Sequence, residues 1–357
     1  MSSAQDPAST KSFEPLPLIL ALAIGSAGGW AAAELKLPLA WMIGSMVATT
    51  VAAITGLKIA VPMRLRGVMV ALLGLMLGSR FSPEILDRLA DWVLSLAIMA
   101  AYIAAAAGAG LLYFRRVAGY DPVTSYFSAM PGGLSEMTIV GSEMGGDARI
   151  LSLVHSSRLL LVVLVLPFAF EALLGVSLGD RPPPGAPILD FGLRDALLLG
   201  GCGIVGALLA KALRLPAALL VGPMVLSAIV HLAGLTEAST PLELVIAAQV
   251  VIGAAIGARF ANTSVTLVWR TVRVAIGATV LLVVVSLVFA LALHAVTELP
   301  LTALVLAYAP GGLAEMSLIA LALALDAAFV ATHHIVRICL IVLLAPLFFR
   351  GRLAGPP

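Results

Sequence analysis

The sequence predicts an all-α integral membrane protein built from two homologous repeats, and three observations point there. Of the 357 residues, 61% are hydrophobic and only 11% charged, where a soluble domain would be about a quarter charged; mean hydropathy is +1.10. Apolar runs recur from Leu18 to Phe349, several approaching the roughly 20 residues that span a bilayer. Finally, Pro131-Gly-Gly-Leu-Ser-Glu-Met137 returns as Pro310-Gly-Gly-Leu-Ala-Glu-Met316, an offset of 179.

The composition also excludes. A net charge of +2 is too small to suggest a nucleic-acid partner, and the Lys and Arg residues sit in short loops between apolar runs, where they act on topology. The lipid bilayer is the partner the sequence demands. Cys202 and Cys339 are the two cysteines and lie in apolar runs, as buried small residues do and a disulfide framework does not. The polar tail 1–17 lacks the basic start and cleavage site of a signal peptide, so the first run is expected to be a retained span. The loop 177–195 and the tail 350–357 are too short to hold a soluble core.

Holding the offset at 179 brings Asp147 onto Asp326, His155 onto His334, Arg158 onto Arg337 and Pro167 onto Pro346. Upstream, Leu37-Pro38-Leu39-Ala40 with Gly44 and Met46 matches Leu215-Pro216-Ala217-Ala218 with Gly222 and Met224 at 178. Gly78-Ser79-Arg80-Phe81 matches Gly257-Ala258-Arg259-Phe260 at 179. Three ordered pairs at a nearly constant offset mark a duplication, with repeat 1 over 18–176 and repeat 2 over 196–349. The runs of the first repeat are Leu18–Ala33, Leu39–Ile54, Val68–Gly78, Trp92–Tyr113, Val123–Met144 and Ile150–Leu174. The fifth is interrupted at Pro131-Gly132-Gly133, which breaks a helix. Broken backbone at membrane depth is tolerated only where protein or a water-filled cavity surrounds it.

Basic residues follow the first, third and last runs of repeat 2 (Lys211, Arg214; Arg259, Arg270, Arg273; Arg350, Arg352). In repeat 1 they follow the second and fourth (Lys58, Arg64, Arg66; Arg115, Arg116). Arg80, Arg88, Arg181 and Arg194 weaken the bias of the first repeat. Opposite biases predict opposite orientations: an inverted repeat with about ten net crossings, both termini cytoplasmic, and each Pro-Gly-Gly segment a re-entrant hairpin.

An ionisable residue deep in a span suggests function, because its burial costs on the order of 3 kcal/mol. Glu136 and Glu315 follow the two breaks directly, and a carboxylate there can protonate and couple to H⁺. His155 with Arg158, and His334 with Arg337, are three apart and share a helix face. The arginines either hold an anionic or zwitterionic solute or form a buried ion pair with a preceding Asp or Glu. The histidines are either site residues or satisfied core residues. Asp147 and Asp326, eleven residues before each arginine, are either part of the site or helix N-caps. Gly132, Gly133, Gly311 and Gly312 allow positive φ and close backbone approach, with the following half-helix presenting free N–H groups to an anion. No pair among His155, His231, His294, His333 and His334 has the i, i+4 metal spacing, and no thiolate cluster, P-loop or dinucleotide motif occurs. No cofactor and no metal is expected.

At the twin Pro-Gly-Gly-Leu-x-Glu-Met segments, the His-x-x-Arg runs and the Leu-Pro-x-Ala-x-x-x-Gly-x-Met segments, the chain resembles the AbrB family of bacterial membrane proteins, often labelled ammonia monooxygenases. The resemblance covers Leu16 to Arg350. It implies a polytopic inner-membrane protein with a duplicated unit and a link to regulation of gene expression. Leu323-Ala324 stands where the first repeat has Met144-Gly145, which departs from strict equivalence of the two hairpins. The expected function is a secondary, proton-coupled transporter of a small solute, with a membrane-embedded regulator or sensor as alternative and a membrane monooxygenase as the third reading. Homo-oligomerisation is left open.

Overall fold

The computed structural model describes residues 15–175 and 185–352. Residues 1–14 of the predicted tail 1–17, residues 353–357 of the predicted tail 350–357, and residues 176–184 with Arg181 lie outside the described residues. Among the described residues there are α-helices, short 3₁₀ and π turns, and no strand. The first half contains α1 (Pro15–Glu34), α2 (Ala40–Ile54), α3 (Met63–Gly78), α4 (Pro83–Tyr113), α5 (Pro122–Ala129), α6 (Leu134–Glu143) and α7 (Ala148–Leu174). The second contains α8 (Leu193–Ala212), α9 (Ala218–Leu232), α10 (Leu242–Gly257), α11 (Val265–Val296), α12 (Leu301–Tyr308), α13 (Leu313–Ala322) and α14 (Ala327–Arg352).

Proline and left-handed residues punctuate these elements. Pro83 and Pro122 open α4 and α5, where the missing N–H costs nothing. Gly175, at φ 64, closes α7. The entries to α2 and α9 share an unusual backbone: Lys36 and Leu39 have φ of 52 and 47, and Arg214 and Ala217 have 55 and 50. Non-glycine residues rarely adopt this region, so its recurrence at matched positions is a strong local correspondence between the halves.

Among the described residues, seven helices are long and apolar enough to cross a membrane: α1, α4, α7, α8, α10 with its following turn, α11 and α14. The 15, 16 and 15 residues of α2, α3 and α9 amount to roughly 22–24 Å at 1.5 Å per residue, short of a hydrocarbon layer of about 30 Å. Helices α3 and α4 begin at Met63 and Pro83, well before the apolar runs predicted from Val68 and Trp92. Polar helix ends carrying Arg64, Arg66 and Arg88 are invisible to a search for apolar residues.

The helices sort into two bundles. One joins α1, α2, α3, α8, α9 and α10; the other joins α4–α7 and α11–α14. Packing exchanges partners between the halves: α2 lies on α10 and α9 on α3, while α7 lies on α11 and α14 on α4. Small residues set the first bundle. A Cβ on Gly44 would collide with the Gly28 carbonyl, and one on Gly222 with the Gly206 carbonyl. A Cβ on Gly74 would lie 2.5 Å from the Leu220 oxygen, and one on Gly253 2.5 Å from the Met42 oxygen. Such close approach is how membrane helices gain dispersion contact without a hydrophobic driving force. The second bundle relies on aromatics, with edge-on pairs Trp92–Phe329 at 5.4 Å and Tyr102–Tyr308 at 5.0 Å. The bundles meet where α2, α3 and α10 touch α7, α13 and α14.

Candidate functional site

Both interrupted runs form two half-helices. The chain leaves α5 at Ala129 and resumes as α6 at Leu134; it leaves α12 at Tyr308 and resumes as α13 at Leu313. A helix ending inside protein leaves carbonyls without partners, and the long helix that follows each break supplies them. Arg158 donates from Nη1 to the Met130 carbonyl at 2.7 Å and from Nη2 to His155 Nδ1 at 3.0 Å. Arg337 donates from Nη1 to Ala309 at 2.5 Å, and from Nη2 to Gly311 at 2.7 Å and to His334 Nδ1 at 3.0 Å. With Nδ1 accepting from an arginine, each imidazole must donate from Nε2. It does so to Phe127 at 3.1 Å and to Leu306 at 2.9 Å. The four ring and guanidinium contacts to α5, α12 and the residues that cap their ends, Met130 and Ala309, each span 28 residues. The cations thus sit at the negative ends of the broken half-helices, where the dipole favours them. No carboxylate among the described residues pairs with either arginine, so the alternative of an ion pair with a preceding Asp or Glu is not what holds them.

The two breaks adjoin. A Cβ on Gly132 of the first would lie 3.1 Å from Arg337 Nε of the second half, and Arg158 lies within electrostatic reach of Arg337. Nε of both arginines is buried without a hydrogen-bond partner, as are the hydroxyls of Ser128, Ser157 and Ser317. Native structures leave few such atoms unpaired. The centre of the second bundle therefore presents unused donors beside two positive charges.

Glu136 and Glu315 are each the third residue of the half-helix after a break, close to its positive end. Glu315 is only 3% exposed, and Glu136 is half-buried. The Glu315 carboxylate folds over Gly312, leaving no room there for a Cβ. Glu136 Oε2 stands 3.7 Å from the place a Cβ would take on Gly133. The two breaks use the freedom of their glycines differently. Gly133 has φ 67, but Gly312 has φ −85 and ψ 154, so the second break enters its helix in extended conformation. At Gly311 a Cβ would meet the Met316 side chain at 2.7 Å. The departure at Met144-Gly145 and Leu323-Ala324 is smaller than its chemistry suggests, because Gly145 (φ 93) and Ala324 (φ 55) are both left-handed.

Asp147 and Asp326 stand before α7 and α14 and cap them. Asp147 Oδ1 accepts the N–H groups of Arg149 at 2.9 Å and Ile150 at 3.0 Å; Asp326 Oδ1 accepts that of Phe329 at 2.9 Å. We expect Asp147→Ala and Asp326→Ala each to lose about 1 kcal/mol and Asn at either position to lose less. Thermal unfolding of the purified variants in detergent checks this, and alanine variants as stable as the parent would remove the capping role. In the loop before α5, Asp121 caps Thr124 at 2.9 Å. Burial pushes its carboxyl up, but hydrogen bonds from the Thr124 hydroxyl and backbone outweigh that and hold it below its usual 3.8.

Sequence reasoning missed a polar network at the second break. Tyr308 donates to the Ser95 carbonyl at 2.5 Å, the Ser95 hydroxyl meets His333 Nε2 at 2.8 Å, and Tyr102 and Ser286 hydroxyls lie 3.1 Å apart. At offset 179, His333 falls on Val154 and Tyr308 on Ala129, so the first break has no counterpart. Isolated Ser and Tyr in apolar helices give no signal until tertiary packing gathers them. Among the described residues, no three His, Cys, Asp or Glu side chains gather where they could hold a metal ion.

Helices of this length and apolarity, packed around interrupted segments with buried charges, define a multi-pass helical protein of the membrane type. A family model described as "Transition state regulatory protein AbrB" matches residues 41–352. The chain belongs to the AbrB family. It is 31% identical over 357 aligned residues to "Uncharacterized protein YhjN" of Bacillus subtilis (strain 168), covering 92% of this chain and 91% of that one. It is 27% identical over 228 residues to "Putative regulator AbrB" of Escherichia coli (strain K12), covering 63% of this chain and 64% of the other.

Proposed function

We propose that the chain is a secondary transporter, driven by protons, for a small anionic or zwitterionic solute. The observation that supports this reading most is the meeting of two broken helices at one buried polar centre. There, two arginines spend their Nη groups on backbone carbonyls and on the imidazoles of His155 and His334, and keep Nε unused. Transporters built on repeats use such discontinuous helices to expose backbone groups at the bilayer midplane. Here Glu136 and Glu315 take the coupling proton, and the positive centre with the α6 and α13 N-termini attracts the solute.

In this reading the two halves are inverted repeats with both termini in the cytoplasm. The pairs α5–α6 and α12–α13 are re-entrant hairpins, and α2, α3 and α9 complete ten crossings of the inner membrane. The recurrent left-handed entries to α2 and α9 and the partner exchange of α2/α10 with α9/α3 favour a duplicated unit. Alternating access follows from displacement of the second bundle against the first. Glu136→Gln with Glu315→Gln should abolish proton-coupled flux in liposomes while leaving the fold intact, since glutamine keeps the size of the side chain. Undiminished coupling in the double variant rejects the assignment.

The names of the family and of one relative favour a second reading, a membrane-embedded regulator that binds a solute without moving it. Saturable solute binding by purified protein, with no flux into sealed vesicles, would select it.

A further inference from the structure

A cavity of about 410 Å³ lies where the two bundles meet. The first bundle contributes Arg66 from α3, and Arg259 and Asn262 from the end of α10 and the turn after it. The second contributes Ser135, Thr138 and Ile139 from α6. Most of the remaining wall is alanine, isoleucine, valine and methionine. The volume falls in the range of small-molecule sites, which pair apolar walls with a few polar groups.

The charges in this cavity are unbalanced. Arg66 and Arg259 feel each other's repulsion, and Glu315, across the bundle boundary, is the acidic group that acts on Arg259. Among the described residues, no side chain forms an ion pair or hydrogen bond with either guanidinium. Both are half-buried, and like charges at a partly desolvated wall repel more strongly than they would in water. Such a pair is stable when an anion lies between, since guanidinium forks match carboxylate and phosphate oxygens. The duplication does not supply a twin: Arg259 corresponds to Arg80, but Arg66 corresponds to Val245. The pair therefore belongs to one side of the molecule.

We propose that this cavity binds the anionic head of a small amphipathic acid between Arg66 and Arg259, with its short apolar body against Ile139 and the alanines. The ligand chemistry is a carboxylate or phosphate oxyanion on an apolar stem, and it bridges the two bundles. The proposal deepens the transport reading by naming a solute class, but binding here is measurable without transport.

The test uses the full chain in phosphatidylcholine nanodiscs and radiolabelled hexanoate as probe. Saturable binding is expected, with unlabelled hexanoate competing and hexanamide failing to compete. Arg66→Gln or Arg259→Gln should weaken binding roughly tenfold to a hundredfold, the loss expected for one hydrogen bond to a charged group, and the double variant should abolish it. Equal competition by hexanamide, or unchanged binding by the double variant, overturns the proposal. If the double variant does not fold, Met63→Cys in a Cys202→Ala, Cys339→Ala background keeps both arginines and places a thiol on the cavity wall. Hexanoate should slow its maleimide labelling, and an unslowed rate overturns the site. A further arm adds phosphatidylglycerol. Loss of hexanoate binding in those discs assigns the oxyanion chemistry to a lipid headgroup and overturns the soluble acid. Hexanoate binding without flux would leave this site standing and reject transport; proton-coupled flux of hexanoate that survives the double substitution rejects the site alone.

Discussion

Substituting alanine for Gly222 should lower the melting temperature by roughly 1–4 °C, the shift expected for a chain of 357 residues when overpacking costs about 1–3 kcal/mol. A single methyl is enough because its neighbour is backbone: the Cβ would run into the Gly206 carbonyl and approach Ala210 at 2.8 Å. A flexible side chain could turn aside, but a helix backbone can only shift as a whole. Gly44→Ala should behave alike, since its Cβ would strike the Gly28 carbonyl. Gly201 is the contrast. It lies in the same helix as Gly206, with nothing within 4 Å of a built Cβ, so Gly201→Ala should stabilise by up to about 1 kcal/mol through helix propensity alone. Thermal unfolding of the three variants in one detergent decides the matter. Equal responses at Gly222 and Gly201 would mean that α8 and α9 do not approach as described.

Arg337→Met should be the most damaging substitution at the centre, costing at least about 3 kcal/mol. It strands three acceptors, the carbonyls of Ala309 and Gly311 and the Nδ1 of His334, each worth about 1–3 kcal/mol when left unsatisfied. Removing a buried cation returns part of its desolvation cost, yet the stranded groups remain. Arg158→Met strands two acceptors, the Met130 carbonyl and His155 Nδ1, and should therefore cost less. Lysine at 337 keeps the charge but loses the planar fork that reaches Ala309 and Gly311 together, so it should fall between wild type and methionine. Detergent unfolding and size-exclusion profiles measure the order. Arg158→Met proving more damaging than Arg337→Met would contradict the hydrogen-bond inventory.

The sequence made the membrane class and the matched polar residues legible because both depend on residue type at fixed spacing. Every residue of the two His-x-x-Arg clusters was visible in the offset, and the structure places each beside a break. Their partners were not visible. The carbonyls of Met130 and Ala309 belong to residues that look like ordinary apolar positions, and only tertiary packing brings them across 28 residues of chain to the arginines. The break conformations were also hidden, since identical Pro-Gly-Gly triplets adopt left-handed geometry at Gly133 and extended geometry at Gly312. Whether Asp147 and Asp326 cap or bind could not be chosen from spacing, because an N-cap and a site carboxylate look alike until the N–H groups are seen to converge on them. Arg66 and Arg259 were read only for topology, because nothing in the linear pattern brings α3 and the end of α10 to the same cavity wall.

The exchanged packing of the first bundle bears on how the chain is made. Helices α2 and α3 emerge from the ribosome long before their later partners: α9 covers the glycine face of α3, and α10 lays Gly253 and Gly257 against α2. During translation of the first half those faces have lipid or the insertion machinery as neighbours. The bundle closes only when Leu242–Gly257 arrives, and the order of synthesis gives the second half the task of completing the first.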